Sequence, residues 1–276
     1  MKNLFIMKKF FVISCVSFCA LTSMAPGNSV LGSGDKKFSS LLPSMTNEAP
    51  VVSKWIDSVY FAIHLDSFGL NKGIFYYACK GYEYLLNENK LQNTSLLTVC
   101  DYSQSSSSKR LYVIDLKEGK LLFNTYVSHG KKSGDEYATS FSNRMDSHKS
   151  SLGFMVTSGT YKGKKGYSMH LDGIEAGIND NVRLRDIVMH GSNYVNAKRA
   201  DEGGMGRSYG CPAVSYNENK KIINIIKNGS CFFVYADDKL YVSSSKILNA
   251  HFSWPLAIQA NPVSDTTEIN FSSVTQ

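Results

Sequence analysis

A chain of 276 residues, 43% of them hydrophobic, has room for one large domain or two small ones and enough apolar content for a real core. Its formal charge of +7 is modest and spread along the chain, and drops to about +4 when Lys2, Lys8 and Lys9 are discounted with a removable leader. No dense Lys/Arg block is interleaved with aromatics, which speaks against nucleic acid as a partner.

Residues 1–25 read as a signal peptide: a basic start to Lys9, an apolar run over 10–21, and the small residues Ser23 and Ala25. That run is too short for a stable membrane span, so an exported protein of the periplasm or cell envelope is expected. Cys15 and Cys19 leave with the leader, and Cys79, Cys100, Cys211 and Cys231 remain. If Cys211 is a free thiol, at most one bridge is possible, with Cys79–Cys100 the candidate pair. The other reading is that Cys79, Cys100 and Cys231 are small buried hydrophobes. No CxxC or His/Cys cluster has metal-ligand spacing, so no metal site is expected.

Residues 26–46, rich in Gly, Ser and Pro, read as a flexible arm. Residues 47–90 form a helical N-terminal segment, either a small subdomain or a brace for the region C-terminal to it. Val52, Trp55, Ile56, Val59, Ala62 and Ile63 recur at helical spacing. Asn71 then caps a second helix with Phe75, Ala78, Cys79, Tyr82, Leu85 and Leu86 on one face.

From residue 91 to 245 the pattern is β. Strands are expected at 96–100, 111–116, 121–127, 153–157, 167–171, 187–190 and 231–236, and Lys117–Lys120 marks a hairpin between the second and third. Such short, evenly spaced strands predict a mainly β sandwich or barrel. One helix interrupts them: Ser215 and Glu218 form a capping box, Ile222, Ile223 and Ile226 its apolar face, and Gly229 its stop. Residues 246–276 are a C-terminal extension.

The chemistry concentrates in the stretch IVMHGSNYVNAKRADEGGMGRSYGCPAVS, residues 187–215. A β-prone run delivers His190 onto Gly191, and a polar loop later Cys211 stands between Gly210 and Pro212. A thiol needs a base to become a nucleophile, and a strand-end His returning to a turn-borne Cys supplies one. Gly210 permits tight turn angles, Pro212 fixes the exit, and backbone N–H groups of such a turn can face an oxyanion. His129-Gly130 repeats the His-Gly pair, with a hydrogen-bonded structural role and a substrate contact as its two readings. Asp172, Glu175, Asp180 and Asp186 form no convincing catalytic pair and read as turn formers and surface charges. His64, His148, His170 and His251 receive no role. No Gly-x-Ser-x-Gly supports a serine hydrolase.

The stretch resembles the catalytic motif of the L,D-transpeptidase (YkuD-type) family: His-Gly on a strand, a loop, then Ser/Thr-x-Gly-Cys. It is most similar to the subfamily whose cysteine motif reads Gly-Arg-Ser-x-Gly-Cys-Pro-Ala. RLYVIDL at 110–116, YVSHGK at 126–131, FSN at 141–143, SSLGF at 150–154 and YKGKKGY at 161–167 extend the likeness to roughly 70–245. The resemblance implies a β-sandwich catalytic domain with a short helix after the cysteine. It makes Cys211 the nucleophile and His190 the general base, with the amides of Tyr209, Gly210 and Cys211 as oxyanion hole. Gly191, Ser208, Arg207, His129 and Tyr194 are the substrate-contact candidates, and Tyr167 is a further groove residue. Tyr209 stands where many members have a second His, and Pro212-Ala213-Val214 replaces an aliphatic-Arg continuation. The carboxylate-binding residue is therefore unassigned, with Arg207, Arg199 and Lys198 as candidates.

The implied function is that of an exported transpeptidase acting on peptidoglycan stem peptides through an acyl thioester, without cofactor, making 3→3 crosslinks or attaching other amines. An L,D-carboxypeptidase, an inactive wall-binding protein of the same fold and a generic cysteine peptidase are the alternatives.

Overall fold

The computed structural model describes residues 50–251; the expected leader, the arm and most of the C-terminal extension lie outside the described residues. Helix α1 (Pro50–Ala62) buries Val52, Ile56 and Val59, the stripe its spacing predicts. Helix α2 (Lys72–Asn87) starts at Asn71, whose side chain accepts from Gly73 N at 2.8 Å. It is buried on nearly every face and packs on two central strands, β1 (Leu96–Asp101) and β8 (Cys231–Tyr235). Gly81 makes that approach possible: a Cβ there would fall 2.0 Å from the Phe154 ring, which stacks on Phe233 at 4.2 Å. Both helices share one apolar core with the sheet.

The remaining strands are β2 (Leu111–Asp115), β3 (Lys120–Thr125), β4 (Gly153–Gly163), β5 (Gly166–Gly173), β6 (Val188–Ser192) and β7 (Ala213–Ser215). All eight form one sheet in the order β3-β2-β1-β8-β4-β5-β6-β7. β1 runs parallel to β8 and β6 to β7; the other pairs are antiparallel. Ser128, just beyond β3, bridges to Ala213 in β7, so the two edges meet and the sheet is nearly closed. The mainly β fold, with helices ahead of it and a short helix after Cys211, is the one expected.

Several local expectations need correction. The β4–β5 hairpin extends well past residue 157; its outer half, residues 158–163, is polar and glycine-containing and so lacks the apolar run that marks a strand in the sequence. Helix α3 (Ala197–Asp201) and helix α5 (Lys239–Ser244) were not foreseen. Helix α4 (Tyr216–Ile226) buries Ile222, Ile223 and Ile226 as expected, but its capping box does not close. Glu218 instead accepts from Ser215 Oγ at 2.8 Å and from Thr125 Oγ1 at 2.6 Å, so a tertiary contact to β3 outcompetes the local backbone. Glu175 is buried, not a surface charge; it accepts from Phe154 N and Tyr241 Oη, and from Ser245 Oγ. Cys79, Cys100 and Cys231 are fully buried free thiols.

Candidate active site

Two short parallel strands bring the histidine and the cysteine together. His190 of β6 pairs with Ala213 of β7, and Cys211 lies two residues before Ala213. β7 is too short to show a period in the sequence, yet its register sets the distance between the two groups. Both line one cleft of about 880 Å³. The Cys211 thiol accepts from Val188 N at 3.5 Å and donates to Asp186 O at 3.6 Å, both on the segment entering His190. Asp186 takes a positive φ of 51°, which turns its carbonyl toward the sulfur.

His190 is buried, with Nδ1 2.9 Å from Gly191 O. A carbonyl only accepts, so Nδ1 carries the proton and Nε2 of the neutral ring is left as the base. Burial holds the His190 pKa below its ordinary value, with Lys165 adding to the effect and the Gly191 carbonyl opposing it. Burial likewise pushes the Cys211 thiol up, against the Val188 N–H and the positive charge of Arg185. Both shifts favour the neutral forms of thiol and imidazole.

The cysteine turn is held from behind. Ser208 N donates to His129 O at 3.0 Å, and Ser208 O accepts from Lys131 N at 2.8 Å. Ser208 Oγ donates to Cys211 O at 2.7 Å and accepts from Gly210 N at 3.0 Å. Gly210 has φ +124°, and a Cβ there would lie 2.7 Å from Lys149 O, so both conformation and space demand glycine. The Gly210 N–H is thus occupied. Among the described residues, the amides of Tyr209 and Cys211 donate to no backbone acceptor.

The remaining sequence candidates divide. Ser208, Arg207 and Tyr194 line the cleft with Tyr209, whose exposed ring rests against His148 at 4.4 Å and under Lys131. Arg207 pairs with Asp135 and donates to Gly134 O at 3.0 Å. Gly191 does not line the cleft; its face abuts Tyr216 of α4, where a Cβ would come within 2.4 Å of the ring. His129 is fully buried outside the cleft, with Nδ1 accepting from Arg110 at 2.8 Å and Nε2 donating to Gly134 O at 3.1 Å. Burial, then the Arg110 charge, lowers its pKa to about 4. Lys198 and Arg199 face Glu202 on α3, away from the cleft lining, and Tyr167 bonds Asn224.

Tyr161, Lys164 and Lys165 at the outer end of the β4–β5 hairpin, together with His148, His170 and Arg185, also line the cleft, and none of them is a candidate on sequence grounds. Tyr161 and His170 stack at 4.4 Å. Neither the polar outer hairpin around Tyr161 nor Arg185 carries a local sequence signal for this placement. Lysines and arginines outnumber the acidic lining residues, Asp146 and Asp186, so the cleft favours anionic groups. Among the described residues no group of three or more His, Cys, Asp and Glu is arranged to hold a metal ion, and no helix is long and apolar enough to cross a membrane.

A nearly closed β-sheet presenting a Cys–His pair in an electropositive cleft defines the class of molecule. The family model described as L,D-transpeptidase catalytic domain matches residues 67–235, more than half of the 276 residues, and the chain belongs to that family. Solved structures similar to it include an L,D-transpeptidase from Mycobacterium smegmatis, at 12% identity and TM-score 0.32, covering 51% of this chain and 59% of that one. An L,D-transpeptidase (Yku) from Stackebrandtia nassauensis is 15% identical at TM-score 0.31, covering 67% and 90%. The helical cell shape determining protein Pgp2 from Campylobacter jejuni is 14% identical at TM-score 0.31, covering 57% and 56%. The chain thus spans less than two thirds of the Mycobacterium and Campylobacter proteins. No curated protein matches it significantly.

Proposed function

We propose that this chain is an exported peptidoglycan L,D-transpeptidase with Cys211 as nucleophile and His190 as general base. The observation that carries the reading is the single cleft lined by Cys211 and by a His190 whose Nδ1 is tied to Gly191 O, which leaves Nε2 to take a proton. Cys211 Sγ adds to the carbonyl of the third stem residue, a diamino acid, while its proton passes to His190 Nε2. Burial favours the neutral form of each group, so attack requires His190 to take the thiol proton.

The amides of Tyr209 and Cys211 stabilise the oxyanion, since Gly210 N–H is engaged by Ser208. Collapse breaks the C–N bond, His190 returns the proton to the departing D-alanine amine, and a thioester remains. The amine of a neighbouring stem then attacks the thioester, giving a 3→3 crosslink and restoring the thiol. Export rests on the leader-like residues 1–25.

Purified protein incubated with tetrapeptide muropeptides should yield 3→3 dimers by HPLC–mass spectrometry. A carbapenem, which mimics the donor's end, should leave a mass adduct on Cys211. Dimers made equally by Cys211→Ala would overturn the reading. Tripeptide without dimer would assign water as the acceptor and make the enzyme an L,D-carboxypeptidase.

A further inference from the structure

Arg185 sets a positive charge in the wall of the Cys211 cleft without a carboxylate to balance it. Its guanidinium is half-buried and anchored entirely by neutral oxygens: Ser142 O, Ser151 Oγ at 2.6 Å, Ser147 Oγ at 3.0 Å and Lys149 O at 2.7 Å. Nearby arginines are differently placed, Arg183 paired with Asp172 and Arg207 with Asp135, whereas no ion pair among the described residues reaches Arg185. Withdrawing a charge from water without a counterion is costly, so such a group in a cleft is a receptor awaiting an anion. The four terminal N–H groups are spent on holding the guanidinium in place, and Nε–H, with no acceptor among the described residues, is the donor left for a ligand beside the charge itself.

We propose that Arg185 receives the terminal carboxylate of the donor peptide, the specificity element for which Pro212-Ala213-Val214 offers no cation. The inference rests on the function proposed above: that carboxylate belongs to the leaving residue, one residue from the carbonyl that Cys211 attacks. Arg185 and Cys211 line the same cleft. Arg207 is committed to Asp135, and Lys198 and Arg199 lie off the cleft. The anchoring serines belong to the segment 142–151, so the same contacts that hold the guanidinium also shape the cleft wall.

Binding by the full chain carrying Cys211→Ala separates this from turnover. Calorimetric titration with a free stem tetrapeptide and with its C-terminal amide should favour the acid by roughly tenfold or more. Adding Arg185→Gln should erase that preference by weakening the acid alone, and Arg185→Lys, which keeps the charge but loses Nε–H and the anchoring contacts, should reduce it by about threefold. Equal weakening of both peptides, or a preference that survives Arg185→Gln, overturns the proposal. If Arg185→Gln does not fold by circular dichroism, an undiminished preference in Arg185→Lys overturns it. An acid preference that depends on Arg185 in a protein that forms neither dimer nor tripeptide from muropeptides would leave this inference standing and sink the proposed function.

Discussion

The chain contains the dipeptide His-Gly twice near this site, and the two copies are put to opposite uses. At 190–191 the ring gives one nitrogen to the adjacent carbonyl and keeps the other for the cleft. At 129–130 both nitrogens are spent, one on Arg110 and one on Gly134 O, and only the backbone carbonyl reaches forward, to Ser208. The glycines differ too. Gly130 lets the chain pass a backbone, within 2.6 Å of His148 O for an added Cβ, whereas Gly191 makes room for the side chain of Tyr216. Both rings are buried, and what separates them is whether the second ring nitrogen is already spent on a protein partner.

The largest effects should follow from removing the chemical pair. Cys211→Ala should abolish crosslinking, and His190→Ala should lower kcat by 10²- to 10⁴-fold, on the order of a missing general base. Cys211→Ala should shift the urea midpoint little, and a strongly active His190→Ala enzyme would end the distinction between the two histidines. His129→Ala should act through stability instead. It strands an Arg110 N–H and leaves a cavity, while Gly134 O keeps its bond from Arg207, for a loss of about 3 kcal/mol in denaturation. Activity per folded molecule should largely survive; inactivation with an unchanged midpoint would reverse the two roles.

Acid should expose the same difference. An unfolded His129 takes up a proton near pH 6.5, but the folded ring does so only near pH 4. Its stabilisation is therefore complete above about pH 6.5 and drains away as pH falls toward 4, by up to about 3 kcal/mol. Urea midpoints at pH 7 and 4.5 should differ less in His129→Gln than in the unaltered protein. His190 shifts in the same direction, so the acid limb of kcat/KM should lie below the ordinary histidine range, and a limb at or above it would contradict that shift. Smallest is the contrast between glycines. Gly130→Ala meets backbone atoms that cannot retreat and should cost about 3 kcal/mol, while Gly191→Ala meets a half-exposed Tyr216 ring that can swing away and should cost about 1 kcal/mol. Equal costs by thermal denaturation would show that Tyr216 is held as firmly as backbone.

Much of the fold was legible because its signals are local. Helical spacing over 52–63, the Asn71 cap, the Lys117–Lys120 hairpin and the apolar strand cores need only a few neighbouring residues to read. The places where local reading failed are those where a distant group competes. Glu218 abandons its capping box for Thr125, Glu175 is drawn inward by Phe154, Tyr241 and Ser245, and the polar outer half of the β4–β5 hairpin is held by pairing across the hairpin rather than by burial.

The candidate site divides along the same line. The residue types the chemistry needs can be read along the chain: a thiol between glycine and proline, and a histidine ending a β-prone run. Which histidine is available follows from packing. The β6–β7 register that places Cys211 near His190, the Arg110 bond that occupies His129, and the loop 142–151 that fixes Arg185 each join segments far apart in the chain. Whether a polar group is spent or free depends on the partners that packing brings to it, and no short stretch of residues encodes those partners.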